Sequence, residues 1–240
     1  MLPETMPVCP VRGSVIYPTM VMPIDAGRPI SIRAIDEALA RDRVLLIVSQ
    51  RDKEVETPRP SDLFEVGTAC NILKMRKNPD GSVQVLVQAF ARVRVREWLD
   101  LGDHLEARGE VLADEPGEPI LVKALVREVK DKFQALLKEG KYLAPEVAQF
   151  ILNLEDPSQL ADYVAFHMDF RLEDKQKVLE TANVAERLRA VLVLLEAELA
   201  LIETQRRIQQ QVKEEIDRNQ REYFLREQMK AIQRELHGEE

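Results

Sequence analysis

A glycine–lysine pair, two cysteines, three histidines and a short run of arginines are the residues of this 240-residue chain whose chemistry could be put to use. Gly140-Lys141 is the one place where a phosphate-cradling loop could begin. Such a loop needs glycines that free backbone amides, and a Ser or Thr to reach magnesium. Here Tyr142 follows the lysine, and no glycine stands five residues before Gly140. No GxSxG elbow is present to expose a serine nucleophile. Cys9 and Cys70 form no CxxC and have no nearby His, which speaks against a zinc site or a redox pair and for two reduced thiols. His104, His167 and His237 show no HExxH-like spacing and are assigned no chemistry. The chain reads as a binding module without catalytic residues, metal or cofactor.

Candidate binding residues fall in its first half. Met20, Met22 and Pro23 sit together near an expected strand start, and Met75 lies just before an expected hairpin turn. Methionine is unbranched and polarizable, so it can repack against varied apolar partners. Leu86 and Phe90 interrupt what would otherwise be the polar face of a strand. These six residues are the candidate gripping surface; the alternative is that the methionines fill the core and both faces of the strand are covered. Arg92, Arg94 and Arg96 line the same strand and raise RNA binding as a competing reading. Against it stand a net charge of -8, a pI of 5.2 and the lack of an aromatic platform beside the arginines.

The elements that must position these residues divide the chain in two. All 13 prolines lie at or before Pro157, and neither Gly nor Pro occurs between Ser158 and His237. The first part should therefore be rich in strands and turns and the last part helical. Val83, Val85, Val87, Ala89, Ala91, Val93 and Val95 alternate with larger or polar residues at period two, which predicts a long strand. The turn Asn78-Pro79-Asp80-Gly81 pairs it with Thr68 to Lys77. Short strands are expected at Val8 to Val11, Val21 to Ile24 and Val44 to Val48, a last one at His104 to Val111, and a helix at Pro29 to Ala40. The polar, proline-containing segment 114–119 marks the boundary to helices at Ile120 to Glu139, Pro145 to Asn153, from Pro157, and at Leu172 to Leu179.

Asn183 followed by Glu186 reads as the cap of a final helix whose apolar stripe runs through Ile208, Val212, Ile216, Tyr223, Met229, Ile232 and Leu236. Its distal part is expected to project and to bury the stripe against a second helix, in this chain or in another copy. The fold class is thus α+β: a small twisted sheet or pseudo-barrel with one helix (1–115), a helical subdomain (116–182) and a very long helix, a possible coiled-coil arm (183–240). No apolar run approaches the roughly 20 residues that span a bilayer, and the first ten residues lack a secretory pattern, so a cytoplasmic protein is expected.

The stretch from Asn219 to Leu236, NQREYFLREQMKAIQREL, resembles the QREYxLREQxKAIxxEL signature of Lon proteases. The opening Val8-Cys9-Pro10-Val11-Arg12-Gly13, Tyr17-Pro18, Pro23 and Gly27-Arg28-Pro29 is similar to that family's start, as are Leu63 to Thr68 and Lys175 to Glu180. The resemblance covers nearly the whole chain. It implies the amino-terminal region of a homohexameric AAA+ protease, whose ATP- and magnesium-dependent unfolding and Ser-Lys proteolysis reside in later domains. It also implies a role in selecting unfolded or damaged protein and in assembly. A competing reading takes the long helix as the whole point: a structural spacer or oligomerisation arm, with the β-rich part a passive cap.

Overall fold

The computed structural model describes residues 2–140 and 143–237, the side chains of Leu236 and His237 excepted. Lys141 and Tyr142, which follow Gly140, therefore lie outside what is described, as does the side chain of Leu236, the last apolar residue of the helical stripe. The elements in order are β1 (Met6–Val11), β2 (Val21–Ala26), α1 (Pro29–Ala40), β3 (Val44–Ser49), β4 (Val66–Lys77), β5 (Val83–Asp100), β6 (Leu105–Val111), α2 (Pro119–Lys138), α3 (Pro145–Leu152), α4 (Pro157–His167), α5 (Leu172–Glu180) and α6 (Val184–His237). This is the expected α+β class, with the single early helix at the bounds its apolar spacing predicts.

The sheet runs β2-β5-β4-β3-β1-β6, and β6 returns to pair with β5. Strands β1, β3, β4, β5 and β6 thus close on one another, while β2 is added along the first half of β5. Only β1 and β3 run parallel, the crossover between them being supplied by β2 and α1. Strand β5 is long because, besides β4, it serves two neighbours: residues 83–88 pair with β2, and residues 93–100 with β6.

The strict alternation along β5 hides a change of side. Its register with β4 jumps from Cys70↔Ala89 to Ala69↔Ala91, leaving Phe90 as an extra residue. A bulge of this kind rotates everything beyond it by one position. Val83, Val85, Val87 and Ala89 therefore pack with Ile35, Leu45, Cys70 and Ile72 beneath α1. Val93 and Val95 join a second core around Met6, Leu46, Ala69 and Leu105. Strand β3 lies between the two cores and is buried on both faces, which is why it reads as an unbroken apolar run.

Strand β4 passes so close to β3 that position 67 has no room for a side chain. A Cβ on Gly67 would stand 2.5 Å from the Ile47 carbonyl oxygen and 2.7 Å from Val48 Cγ2. Gly67→Ala is expected to cost about 1–3 kcal/mol through forced movement of backbone, measurable as a lowered denaturation midpoint. An unchanged midpoint would show that β3 yields freely there.

Helices α2, α4 and α6 start at a side-chain acceptor, the first of them at Glu118, which accepts from the Leu121 amide at 3.2 Å. Asp156 takes amide protons from Ser158 (2.8 Å) and Gln159 (3.0 Å) ahead of Pro157, and Asn183 takes those of Ala185 and Glu186. Residues 1–195 form one compact unit, which includes the start of α6; residues 196–240 form another. Within the first unit the segment 114–119 is a junction: Glu115 donates to Ala182 (3.0 Å) and accepts from Val184 (3.0 Å). In the second unit the apolar residues of α6 from Ile208 to Ile232 are exposed, while Leu199 and Ile202 are half-buried.

Candidate functional site

Strands β2, β5 and β4 have an inner face against α1 and an outer face. Register decides which candidate residue lies where. Met22 stands opposite Val87, and Pro23 opposite Leu86, which in turn faces Lys74 on β4. Even-numbered residues of β2 thus point inward and odd-numbered ones outward. Met20 is buried in full, and Met22 and Met75 are half-buried against the inner core. Pro23, Leu86 and Phe90 lie on the outer face, Leu86 half-buried and the other two exposed. The six candidates are therefore divided by the sheet: Met22 and Met75 pack against the core beneath α1, Met20 is buried just before β2, and the other three share an open surface.

That surface holds two residues that sequence reasoning missed. Val21, two positions before Pro23, is 54% exposed, and Leu73 is 45% exposed; Phe90 is 38% exposed. Leu73 is the extra residue of a second register shift, between Ile72 and Lys74, so period-two counting assigns it no face. Val21 could have been found from its parity with Pro23. The outer face thus carries Val21, Pro23, Leu73, Leu86 and Phe90 across three strands, with Gln88 between Leu86 and Phe90, and Lys74 opposite Leu86. Large apolar residues grouped on one open face, with polar groups among them, point to a contact site.

At the Phe90 end the outer face runs into a cleft of 290 Å³ lined by Pro18, Thr19, Arg92, Leu112, Asp114 and Asp162, among others. Thr19 has φ 68°, a left-handed conformation that a β-branched residue adopts only when its surroundings impose it. Its amide donates to Ala89 at 2.9 Å, just before the bulge.

The cleft floor is a buried ionic cluster. Arg92 Nη2 donates to both oxygens of Asp162, at 2.5 and 2.6 Å, its Nη1 donates to Asp114 at 3.3 Å, and its Nε to the Leu179 carbonyl at 3.2 Å. Arg187 from α6 donates to Asp114 at 2.6 Å, to Ser158 Oγ at 2.6 Å and to the Thr181 carbonyl at 2.8 Å. Burial pushes the Asp162 carboxyl up to about 6, partly countered by Arg92 and Arg187. Asp114 is also partly buried, yet hydrogen bonds from Arg187 and Ser158 hold its carboxyl below the usual range. Strand β5, the junction, α4 and α6 are thereby joined through charged groups with matched partners. The sequence signal for this cluster was Asp162 among Leu160, Ala161, Val164 and Ala165, and Arg187 beside Leu188 and Val191: charges at positions where the helix is otherwise apolar.

The same geometry corrects the arginine stripe. Arg92 is buried in the cluster, and Arg96 is paired with Glu110 across the β5–β6 ladder. No open row of three guanidinium groups faces solvent, so the feature that raised RNA binding is absent. Cys9 and Cys70 are both buried and unpaired, and burial raises the Cys9 thiol to about 11, far from a reactive thiolate. Of the stripe on α6, Ile208, Val212, Ile216, Tyr223, Met229 and Ile232 are each at least half exposed. Among the described residues no group of His, Cys, Asp and Glu could hold a metal ion, and no helix is long and apolar enough to cross a membrane.

The family model of the ATP-dependent protease La (Lon) substrate-binding domain matches residues 5–197, which takes in the sheet, the ionic cluster and the start of α6. The chain belongs to this family. Its relatives include the Lon protease of Escherichia coli K12, 41% identical over 230 residues, covering 96% of this chain and 29% of that protein. The Lon protease of Brevibacillus choshinensis is 38% identical over 231 residues, covering 96% of this chain and 30% of that protein. The chain thus spans under a third of the length of these relatives. Among solved structures, the N-terminal domain of a Mycobacterium avium complex Lon protease superposes with a TM-score of 0.66 at 27% identity, covering 80% of this chain and 98% of that one. The Lon N-terminal domain protein from Xanthomonas campestris shares the fold, with a TM-score of 0.54 at 12% identity, covering 79% of this chain and 97% of that one.

Proposed function

We propose that this Lon substrate-binding domain captures unfolded or damaged protein through the apolar residues on the outer face of β2, β5 and β4. The observation that carries the reading is the grouping of Val21, Pro23, Leu73, Leu86 and Phe90 on one open surface outside both cores. An unfolded client offers apolar side chains in no fixed order, and an open face can take many of them where a shaped pocket would select one. Capture then delivers the client to the rest of a Lon protease, an ATP- and magnesium-dependent enzyme with a Ser-Lys dyad. The exposed stripe Ile208, Val212, Ile216, Tyr223, Met229 and Ile232 on α6 supports a second role in assembly, by packing against another helix in a cytoplasmic homohexamer.

The test is binding of this chain to one model protein in native and in heat-denatured form, with the chain's size followed on the same samples. The domain is expected to bind the denatured form at least about tenfold more tightly. Equal binding to both forms by well-folded chain would remove client selection and leave the assembly role.

A further inference from the structure

The closed part of the sheet leaves an open seam beside it, between the free edge of β2 and the second half of β1. A cleft of 340 Å³ occupies this seam, lined by residues 9–12 on one side and residues 22–26 on the other, with Arg28 and Ser31 of the α1 end beneath. Free strand edges next to a surface that binds unfolded chains are a hazard. An extended chain can be added to such an edge through its own backbone, and so can a second copy of the protein.

Both edges carry a proline at the position that points into the seam. On β2 the Ala89 amide donates to the Met20 carbonyl at 2.8 Å. With the register Met22↔Val87 and Pro23↔Leu86, the even positions bond to β5 and the odd ones turn their backbone outward. Pro23 is the middle one of Val21, Pro23 and Asp25, so the outward row of donors is broken at its centre. On β1 the Val11 carbonyl accepts from Gln50 at 2.9 Å and so faces β3, which turns Pro10 the other way. Pro10 has no donor, and its carbonyl already accepts from Arg28 Nη2 at 2.6 Å. Neither edge can offer an uninterrupted backbone ladder.

We infer that Pro10 and Pro23 guard the seam, so that an unfolded chain is held by side chains on the outer face and is not added to the sheet as a strand. The inference rests on the client-capture reading. It gives that reading a release property: side-chain contacts alone let the client pass onward, whereas a backbone ladder would retain it.

Pro23→Val tests this, because valine keeps the apolar surface, favours strand and restores an amide at the outward position. Two measurements are made on folded protein: the dissociation rate of a denatured model protein, and concentration-dependent size without client. Release is expected to slow by about fivefold to tenfold, with the new amide at position 23 protected from hydrogen exchange in the complex, or the variant self-associates where the parent does not. Pro23→Ala restores the same amide with a smaller side chain and gives the answer if the valine variant does not fold. Unchanged release together with unchanged size in a folded variant overturns the guard. If the parent captures no denatured protein, the client reading falls, and the size measurement alone decides for or against the guard.

Discussion

Arg92→Ala lowers the stability of residues 1–195 by about 3–5 kcal/mol, a fall in melting temperature of roughly 10 °C. The guanidinium is buried and answers a carboxylate that is equally buried, Asp162, through two hydrogen bonds. Removing it leaves Asp162 with Arg187 at 4.0 Å as its remaining cation, inside the apolar packing of α4. It also removes the bond to the Leu179 carbonyl at the end of α5. Arg96→Ala, which deletes an arginine of the same strand from an exposed pair with Glu110, should leave the melting temperature nearly unchanged.

The pH dependence of this loss has a definite sign. In the folded chain burial raises the Asp162 carboxyl to about 6, above its unfolded value of about 3.9. Between those values the folded chain binds more protons, so Asp162's contribution is full below the lower one and is lost as pH rises through the upper. Asp114 is depressed and acts oppositely: its contribution is present above the unfolded value and is lost as pH falls through the folded one. Without Arg92, ionised Asp162 is the costly species. The deficit of Arg92→Ala relative to the parent should be largest at neutral pH and shrink on acidification to about pH 5. Thermal melts at both pH values check this, and a deficit that grows in acid would mean that the cluster is not what the substitution disrupts.

The second large effect is on client binding. Leu86→Asp combined with Phe90→Asp places two charges on the outer face, and affinity for a denatured model protein should fall by at least about tenfold. Both residues lie outside the two cores, so the melting temperature should change little. Val193→Asp, on an exposed position of α6, serves as the comparison and should bind as the parent does. Equal capture by all three folded proteins would remove the outer face from the binding surface.

How much of this was legible in the sequence depended on whether local periodicity was enough. Helix α1 could be read from Ile32, Ile35 and Leu39 because a helix keeps its period through its whole length. Strand β5 could be read as a strand but not as a strand with two insides. Phe90 looks like one more member of an alternating series, and only its pairing with β4 shows that the series changes face there. The same limit split the candidate site. Met20, Met22 and Pro23 are neighbours in sequence, yet successive strand residues point to opposite faces, so Met22 packs against the core and Pro23 does not. The pairing within the ionic cluster was beyond periodicity. Arg92 and Asp162 are separated by 70 positions: Asp162 stands out as a charge on an apolar helix face, but nothing local names Arg92 as its partner. The Lon signature near the end of α6 pointed to the family from residues whose described side chains, 219–235, belong to neither core.

The most direct measurement is a methyl-resolved NMR footprint of a denatured client on this chain. Capture through the outer face predicts that the methyls of Val21, Leu73 and Leu86 shift or broaden on client addition, while those of Val193 and of the buried Val85 and Leu46 hold their positions. Perturbation concentrated at Val193 and along Ile208, Val212 and Ile216, with Val21, Leu73 and Leu86 unmoved, would contradict it and assign the grip to α6.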